Sequence, residues 1–211
     1  MSEECREDTR EQACDRGDCA QEPLDFRKES AEIEVFNLTK PVFFVGFMGA
    51  GKTSTARKLA RLAGVAAVDM DTYLERREQK KVKQIFAEVG EEGFRKIETD
   101  VLYELAASEP KLISCGGGVI LKEENRAELA RAGFVIYLKV TAHEAASRIH
   151  DLSTRPLFGD LDHAEQVAQS RLAFYEEVAD YTIDTAGRGS ASIAREAFSI
   201  LKKEGVLWQQ K

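Results

Sequence analysis

The stretch that most constrains this chain is GFMGAGKT, residues 46–53, which directly follows four apolar residues, 42–45. It fits the pattern G-x-x-x-x-G-K-[ST], in which glycines let the backbone fold around a phosphate chain. Apolar residues recur at helical spacing immediately after it, so that a strand, a tight turn and a helix follow in this order. The N-terminus of such a helix attracts phosphate groups. The stretch therefore predicts a nucleotide-binding loop in an α/β fold.

This loop predicts the contacts to a bound nucleotide, which we expect to be ATP. Lys52 would reach the β- and γ-phosphates, and the Thr53 hydroxyl would ligate Mg²⁺. The other ATP contacts expected from the loop are Gly46, Met48, Gly49, Ala50, Gly51 and Ser54.

Strand and helix patterns alternate along the rest of the chain. The predicted strands are residues 42–45, 65–71, 112–115, 134–140 and 181–184. The predicted helices after the first one are residues 72–89, 91–108, 122–132, 141–150, 162–178 and 190–204. Because each strand is mostly apolar, both faces of the sheet must be covered. We expect a five-stranded parallel sheet flanked by helices on both faces.

Charge is distributed unevenly along the 211 residues. Residues 1–40 hold 6 Lys and Arg against 12 Asp and Glu, whereas residues 41–211 are nearly neutral. We expect residues 1–40 to be a disordered acidic tail and residues 41–211 to form one domain. No basic surface of the kind that binds nucleic acid is indicated.

Other classes of protein are disfavoured by the same composition. No apolar run approaches 18 residues, and the first residues are acidic and polar, so we expect no membrane association and a cytoplasmic location. Three cysteines, Cys5, Cys14 and Cys19, lie in the tail without the spacing of a zinc site.

Two aspartates follow the second predicted strand. Asp69 and Asp71, two residues apart in an extended chain, would project to the same face at the carboxyl edge of the sheet. Asp69 would hold Mg²⁺ through water, and Asp71 would accept the proton of a substrate hydroxyl. The alternative is that Asp71 only caps the following helix.

Three consecutive glycines, residues 116–118, end the third predicted strand. Three glycines offer no side chain to pack and restrict the backbone little, so a turn alone does not explain them. They indicate that something must approach the bare backbone. In many phosphate-loop proteins an Asp ends this strand, but here Ser114 and the glycines stand in its place.

Taken in order, the motifs resemble the shikimate kinase family, which belongs to the phosphate-loop kinases. The resemblance extends from about residue 41 to residue 190 and includes GFMGAGKT, DMD, GEEGFRKIE, CGGG, STRPLF and RLAFYEEVADYTIDT. It implies a phosphate-loop kinase fold with a mobile lid at about residues 150–163. It also implies a monomer that transfers the γ-phosphate of ATP to the 3-hydroxyl of shikimate.

The same resemblance assigns the shikimate site. It implies that Arg95 and Arg171 bind the carboxylate, and that Gly117 and Gly118 lie against the ring. Phe86 and Phe94 would form an aromatic wall, or would simply be core residues. The alternative for Arg95 is an exposed pair with Glu98, three residues later on the same helix.

On the nucleotide side, the resemblance assigns three more arginines. Arg155 would be the lid arginine that contacts the γ-phosphate, and it precedes Pro156, which favours a loop there. Arg148 and Arg188 would lie near the adenine. The alternative for Arg155 and Arg148 is an exposed, solvated position.

Two rival functions remain open at this point. A related small kinase such as gluconate kinase shares the phosphate loop, and its substrate also carries a carboxylate. A non-enzymatic relative would have lost a charged site residue, but Lys52, Asp71, Arg95, Arg155 and Arg171 are all present.

Overall fold

The computed structural model describes residues 36–148 and 160–209, in which strands and helices alternate. The strands are β1 Phe36–Leu38, β2 Val42–Val45, β3 Ala67–Asp69, β4 Leu112–Ser114, β5 Phe134–Lys139, β6 Tyr181–Asp184 and β7 Leu207–Gln209. The helices are α1 Lys52–Ala63, α2 Met70–Glu78, α3 Val82–Ala107, α4 Glu123–Ala132, α5 Ala142–Ser147, α6 Leu161–Val178 and α7 Ser190–Lys203. A short 3₁₀ helix covers Val119–Leu121.

The predicted five-stranded parallel sheet is confirmed. Its strand order is β3-β4-β2-β5-β6, and every neighbouring pair is parallel. Strand β2 lies at the centre and is fully buried. Because the strands are parallel, the phosphate loop after β2, the end of β3 and the glycines after β4 all meet at one edge.

Helices cover both faces of this sheet, as the continuous apolar strands predict. Alternate residues of β2 point to opposite faces, so Val42 and Phe44 pack with α1 and α7. Phe43 and Val45 pack on the other face with α3, α4 and α6. The two apolar cores hold the edge that carries the loops in a fixed position.

A second, two-stranded sheet was not predicted. Strand β1 pairs antiparallel with β7, and Leu38 lies opposite Leu207. Phe36 is 3% exposed and packs edge-on against Phe198, with the ring centroids 5.1 Å apart. The expectation of disorder is therefore wrong for residues 36–38. A three-residue strand has too little alternation to be recognised without its partner.

Several boundaries also differ from the prediction. Residues 72–89 do not form one helix, because α2 ends at Glu78, with Gln79 in a left-handed conformation as its cap. Asp160 caps α6, so residues 161–163 of the expected lid belong to a helix. Residues 149–159 lie outside the described part of the chain. Among the described helices, none has the length and apolar character needed to cross a membrane.

The packing of β1 predicts that the domain needs residues before position 41. Replacing Phe36 by Ala should lower the free energy of unfolding by about 3 kcal/mol, because a buried aromatic ring is lost. Leu62→Ala is the control, since Leu62 is 50% exposed on α1, and a change of less than about 0.5 kcal/mol is expected for it. Chemical denaturation measures both, and equal effects would contradict a structural role for β1.

Candidate active site

The predicted phosphate loop lies between the end of β2 and the first turn of α1. Gly46, Gly49 and Gly51 have φ angles of 142°, 80° and 89°, a region that strains other residues. Space is limiting too, because a Cβ on Gly49 would lie 2.8 Å from the Cβ of Ala145. Gly51 is also the N-cap of α1, so the helix N-terminus faces the loop. Backbone shape therefore requires glycine at these three positions, and close packing requires it also at Gly46 and Gly49.

Lys52 folds back over this loop. Its ammonium group donates to the carbonyl oxygens of Gly46 at 2.7 Å and Phe47 at 3.0 Å. The residue is only 9% exposed. The loop thus holds a positive charge directly above its own backbone, where a phosphate chain would bind.

Three side-chain oxygens meet where β3 and β4 end beside α1. The Thr53 hydroxyl donates to Asp69 Oδ2 at 2.6 Å and lies 3.0 Å from the Ser114 hydroxyl. Burial alone would raise the pKa of Asp69, but hydrogen bonds from Thr53, Thr72 and Ser114 outweigh it and lower the pKa. The carboxylate therefore stays ionised at neutral pH.

Such an oxygen cluster fits Mg²⁺, which prefers oxygen ligands and usually keeps several waters and substrate phosphates in its shell. No group of three His, Cys, Asp or Glu residues that would form an all-protein metal cage occurs among the described residues. A cation here would thus be held by Thr53 and Asp69 together with phosphate oxygens and water.

The two aspartates differ in local structure, contrary to the prediction of a shared extended strand. Asp69, not Asp71, caps α2, because its Oδ1 accepts from the Thr72 backbone N–H at 3.1 Å. The proposed capping role of Asp71 is therefore wrong. Asp71 stands in the first turn of α2, and its Oδ1 would lie 3.1 Å from a Cβ on Gly116.

The glycine triplet packs directly against the phosphate loop. A Cβ on Gly117 would lie 3.6 Å from both the Gly46 oxygen and the Met48 nitrogen. The Gly117 oxygen also accepts from the Tyr175 hydroxyl at 2.6 Å and from Arg171 Nη1 at 3.4 Å. The middle glycine therefore lies between the loop and α6.

Arg95 lies against the last glycine. A Cβ on Gly118 would overlap its guanidinium group, 2.6 Å from Nη2. Arg95 Nη1 donates to Glu98 Oε2 at 2.6 Å, so the i,i+3 pair does form. It is not a surface pair, because the side chains of Arg95 and Glu98 are 16% and 2% exposed.

Two features of this buried pair matter for a ligand. Burial raises the pKa of Glu98, although the nearby Arg95 opposes the rise. Among the described residues, Arg95 Nε is a buried N–H with no hydrogen-bond acceptor. A buried donor without an acceptor is unfavourable, and an anion placed there would relieve it.

The two predicted aromatic residues lie next to Arg95. Phe86 and Phe94 are stacked, with centroids 4.2 Å apart and planes at 25°. The Arg95 guanidinium carbon is 5.4 Å from the Phe94 centroid. Phe94 is also a core residue, at 4% exposure.

Two more arginines, Arg148 at the end of α5 and Arg188 just before α7, are held by backbone and acidic partners. Arg148 donates to the Thr185 hydroxyl at 3.0 Å and to Glu144 at 2.6 Å. Arg188 donates to the Asp184 oxygen at 3.0 Å and forms an ion pair with Glu196. Neither is simply a solvated surface residue.

A cleft of about 640 Å³ joins most of these groups, a volume typical of small-molecule sites. The predicted residues that line it are Met48, Gly49, Ala50, Gly51, Lys52, Thr53, Ser54, Asp69, Asp71, Gly117, Arg148 and Arg188. The other described candidates group around Gly117 and Gly118 instead: Arg95, Arg171, Phe86 and Phe94. Arg155 lies outside the described residues.

Three further polar residues contact the predicted site but were not predicted to belong to it, and Glu98 was named only as the alternative ion-pair partner of Arg95. They are Ser114 beside Thr53, Glu98 beside Arg95 and Tyr175 against Gly117. For Glu98 and Tyr175, helical spacing is the one sequence signal that places them near the site. Glu98 follows Arg95 by three residues and Tyr175 follows Arg171 by four, so each pair lies on one helix face.

Comparison with known proteins identifies the family. The family profile described as Shikimate kinase matches residues 48–202. A shikimate kinase of Methylococcus capsulatus is 38% identical over 167 residues, which cover 78% of this chain and 93% of that protein. A shikimate kinase of Parabacteroides distasonis is 48% identical over 119 residues, covering 56% and 69%.

Solved structures give the same result. The shikimate kinase from Acinetobacter baumannii in complex with shikimate has a TM-score of 0.72 and 34% identity, covering 78% of this chain and 94% of that one. A gluconokinase from Sinorhizobium meliloti has a TM-score of 0.50 and 20% identity, covering 80% and 94%. At that identity the gluconokinase shows the shared fold alone.

The matched profile spans more than half of the sequence, and relatives above 30% identity are covered over most of their length. Of the motifs that carry the resemblance, GFMGAGKT, DMD and CGGG contribute residues that line the cleft. The chain belongs to the shikimate kinase family.

Proposed function

We propose that this protein is an ATP-dependent shikimate kinase, which phosphorylates the 3-hydroxyl of shikimate and releases shikimate 3-phosphate and ADP. In the family this reaction serves the chorismate pathway to aromatic amino acids. The observation that carries the proposal is the buried Arg95 guanidinium against Gly118, with its Nε–H lacking an acceptor among the described residues.

The charges around the triplet suit a small monocarboxylic acid. Arg95 and Arg171 approach Gly118 and Gly117, and their planar guanidinium groups match a carboxylate with two parallel hydrogen bonds. Glu98 balances one of the two positive charges. The two guanidinium groups can therefore bind one carboxylate, while the bare glycines leave room for a ring.

ATP would occupy the large cleft, with its phosphates in the loop and Lys52 on the β- and γ-phosphates. Arg148 and Arg188, which also line this cleft, would contact the adenine end of ATP. Mg²⁺, held by Thr53 and through water by Asp69, would neutralise charge between the β- and γ-phosphates.

Asp71 is the proposed general base. It lies beside Gly116, between the phosphate loop and the Arg95–Glu98 pair, so it would meet a hydroxyl of the ring that faces ATP. It would orient the 3-hydroxyl and accept its proton as the oxygen attacks the γ-phosphorus. Lys52 and Arg155 would stabilise the charge on the transferred group, so that catalysis is mainly positioning and electrostatics.

A monomeric state and a cytoplasmic location complete the proposal. The family resemblance supports the first, and the second remains an expectation from composition. Sedimentation and cell fractionation test them independently of the reaction.

ADP release with different acceptors tests the proposed reaction. Shikimate, gluconate and AMP are offered separately with ATP and Mg²⁺, and only shikimate should support turnover. Faster turnover with gluconate would favour the rival sugar-acid kinase, and no turnover with any acceptor would favour a binding protein.

The role of Asp71 predicts a specific defect in Asp71→Asn. Removing the proton acceptor should reduce kcat by at least about 100-fold. ATP affinity should remain close to that of the wild type, because the phosphate loop is unchanged. Asp100→Asn, at an exposed position on α3, is the matched control and should keep full activity. Substantial turnover in Asp71→Asn would reject the assignment.

The role of Arg95 predicts a defect in shikimate binding rather than ATP binding. Arg95→Lys keeps the charge but loses the planar fork, so KM for shikimate should rise by roughly tenfold or more. Arg131→Lys is the control, because Arg131 forms the same i,i+3 pair with Glu128 but is 72% exposed. Steady-state kinetics measure both substrates, and a rise confined to KM for ATP would contradict the assignment.

A further inference from the structure

We propose that Tyr175 is a positioning residue of the glycine triplet: its hydroxyl fixes the Gly117–Gly118 peptide so that the Gly118 N–H faces the bound acceptor. The inference deepens the proposed function and depends on it for the identity of the acceptor. Its structural part, the ordering of the triplet by Tyr175, can be tested without any substrate.

The triplet has one carbonyl that the local backbone does not hold. The Gly116 oxygen accepts from the Val119 N–H at 3.2 Å, and the Gly118 oxygen accepts from the Leu121 N–H at 3.0 Å. The Gly117 oxygen, between them, accepts from side chains of α6, 54 and 58 residues away in sequence. Because glycine restricts its own backbone little, this middle peptide depends on α6 for its orientation.

Holding this carbonyl also sets the next amide. A trans peptide is planar, so the C=O of Gly117 and the N–H of Gly118 point in opposite directions. The Tyr175 hydroxyl lies 2.6 Å from the Gly117 oxygen, at the short end of the O–H···O range. The Gly118 N–H is thereby directed away from α6.

The amide that is directed in this way is available to a ligand. Within residues 36–148 and 160–209, the N–H groups of Gly117 and Gly118 donate to no protein acceptor. The α-carbon of Gly118 faces the Arg95 guanidinium. A ring whose carboxylate binds Arg95 would therefore have a hydroxyl within reach of these amides.

Tyr175 is well suited to hold one orientation. Its side chain is 1% exposed, and its ring stacks on Tyr137 with the centroids 5.1 Å apart and the planes at 13°. Burial raises the pKa of the Tyr175 hydroxyl, so it remains a proton donor at physiological pH. The Tyr175 hydroxyl therefore stays in one position and stays protonated.

Arg171 is the weaker of the two donors to the Gly117 oxygen. It lies four residues before Tyr175, on the same face of α6, but its Nη1 is 3.4 Å from that oxygen. The proposed function assigns its guanidinium to the substrate's carboxylate. When Arg171 turns to the substrate, Tyr175 is the donor that still holds the peptide.

The experiment compares Tyr175→Phe with Tyr137→Phe. Both variants keep the stacked pair of rings and lose one hydroxyl, but only Tyr175→Phe removes the 2.6 Å hydrogen bond to the Gly117 carbonyl. We expect KM for shikimate to rise about three- to tenfold in Tyr175→Phe, the range of one lost hydrogen bond, with KM for ATP within about twofold of the wild type. In Tyr137→Phe both KM values should stay within about twofold.

The order of the triplet is measured in the same proteins without substrate. The ¹H–¹⁵N heteronuclear NOE of Gly117 and Gly118 should fall in Tyr175→Phe and stay at the wild-type value in Tyr137→Phe. An unchanged NOE in Tyr175→Phe, or an equal rise in KM for shikimate in both variants, would overturn the positioning role. A wild-type protein without shikimate turnover would instead overturn the proposed function, and the NOE would still decide whether Tyr175 orders the triplet.

Discussion

The site depends on the close approach of two glycine-rich turns at the carboxyl edge of the sheet. Because β2 and β4 are adjacent and parallel, the phosphate loop and the triplet leave the sheet side by side. A Cβ on Gly117 would reach van der Waals contact with Gly46 and Met48, so there is little space between the turns. This contact sets how far a group bound at the triplet lies from the terminal phosphate of a nucleotide in the loop.

Much of the fold follows from patterns of apolar residues. The central strand, the phosphate loop and α1 were predicted from one motif in its context, and the ends of β6 agree with the prediction. The errors fall where tertiary contacts override short patterns. Strand β1 exists because β7 and Phe198 cover it, and the break after α2 depends on the left-handed Gln79. Neither contact is visible in a local window of sequence.

The candidate site was predictable in its residue types but not in its supporting contacts. The motifs identify Lys52, Asp71 and Arg95, yet they do not say that Arg95 is held by a buried Glu98. That arrangement requires both side chains to be enclosed between α3 and the triplet, which depends on long-range packing. Capping of α2 was considered only for Asp71, as the alternative to a catalytic role. Asp69 is the cap instead, because the helix starts two residues earlier than predicted.

The central claim is that the triplet and its arginines bind the acceptor acid in line with the phosphate loop. A crystal structure with ADP, Mg²⁺ and shikimate tests it most directly. The account predicts the carboxylate within hydrogen-bonding distance of Arg95 and Arg171, and the ring against Gly117 and Gly118, with its 3-hydroxyl at Asp71. Shikimate bound elsewhere in the protein, with these residues uncontacted, would contradict it.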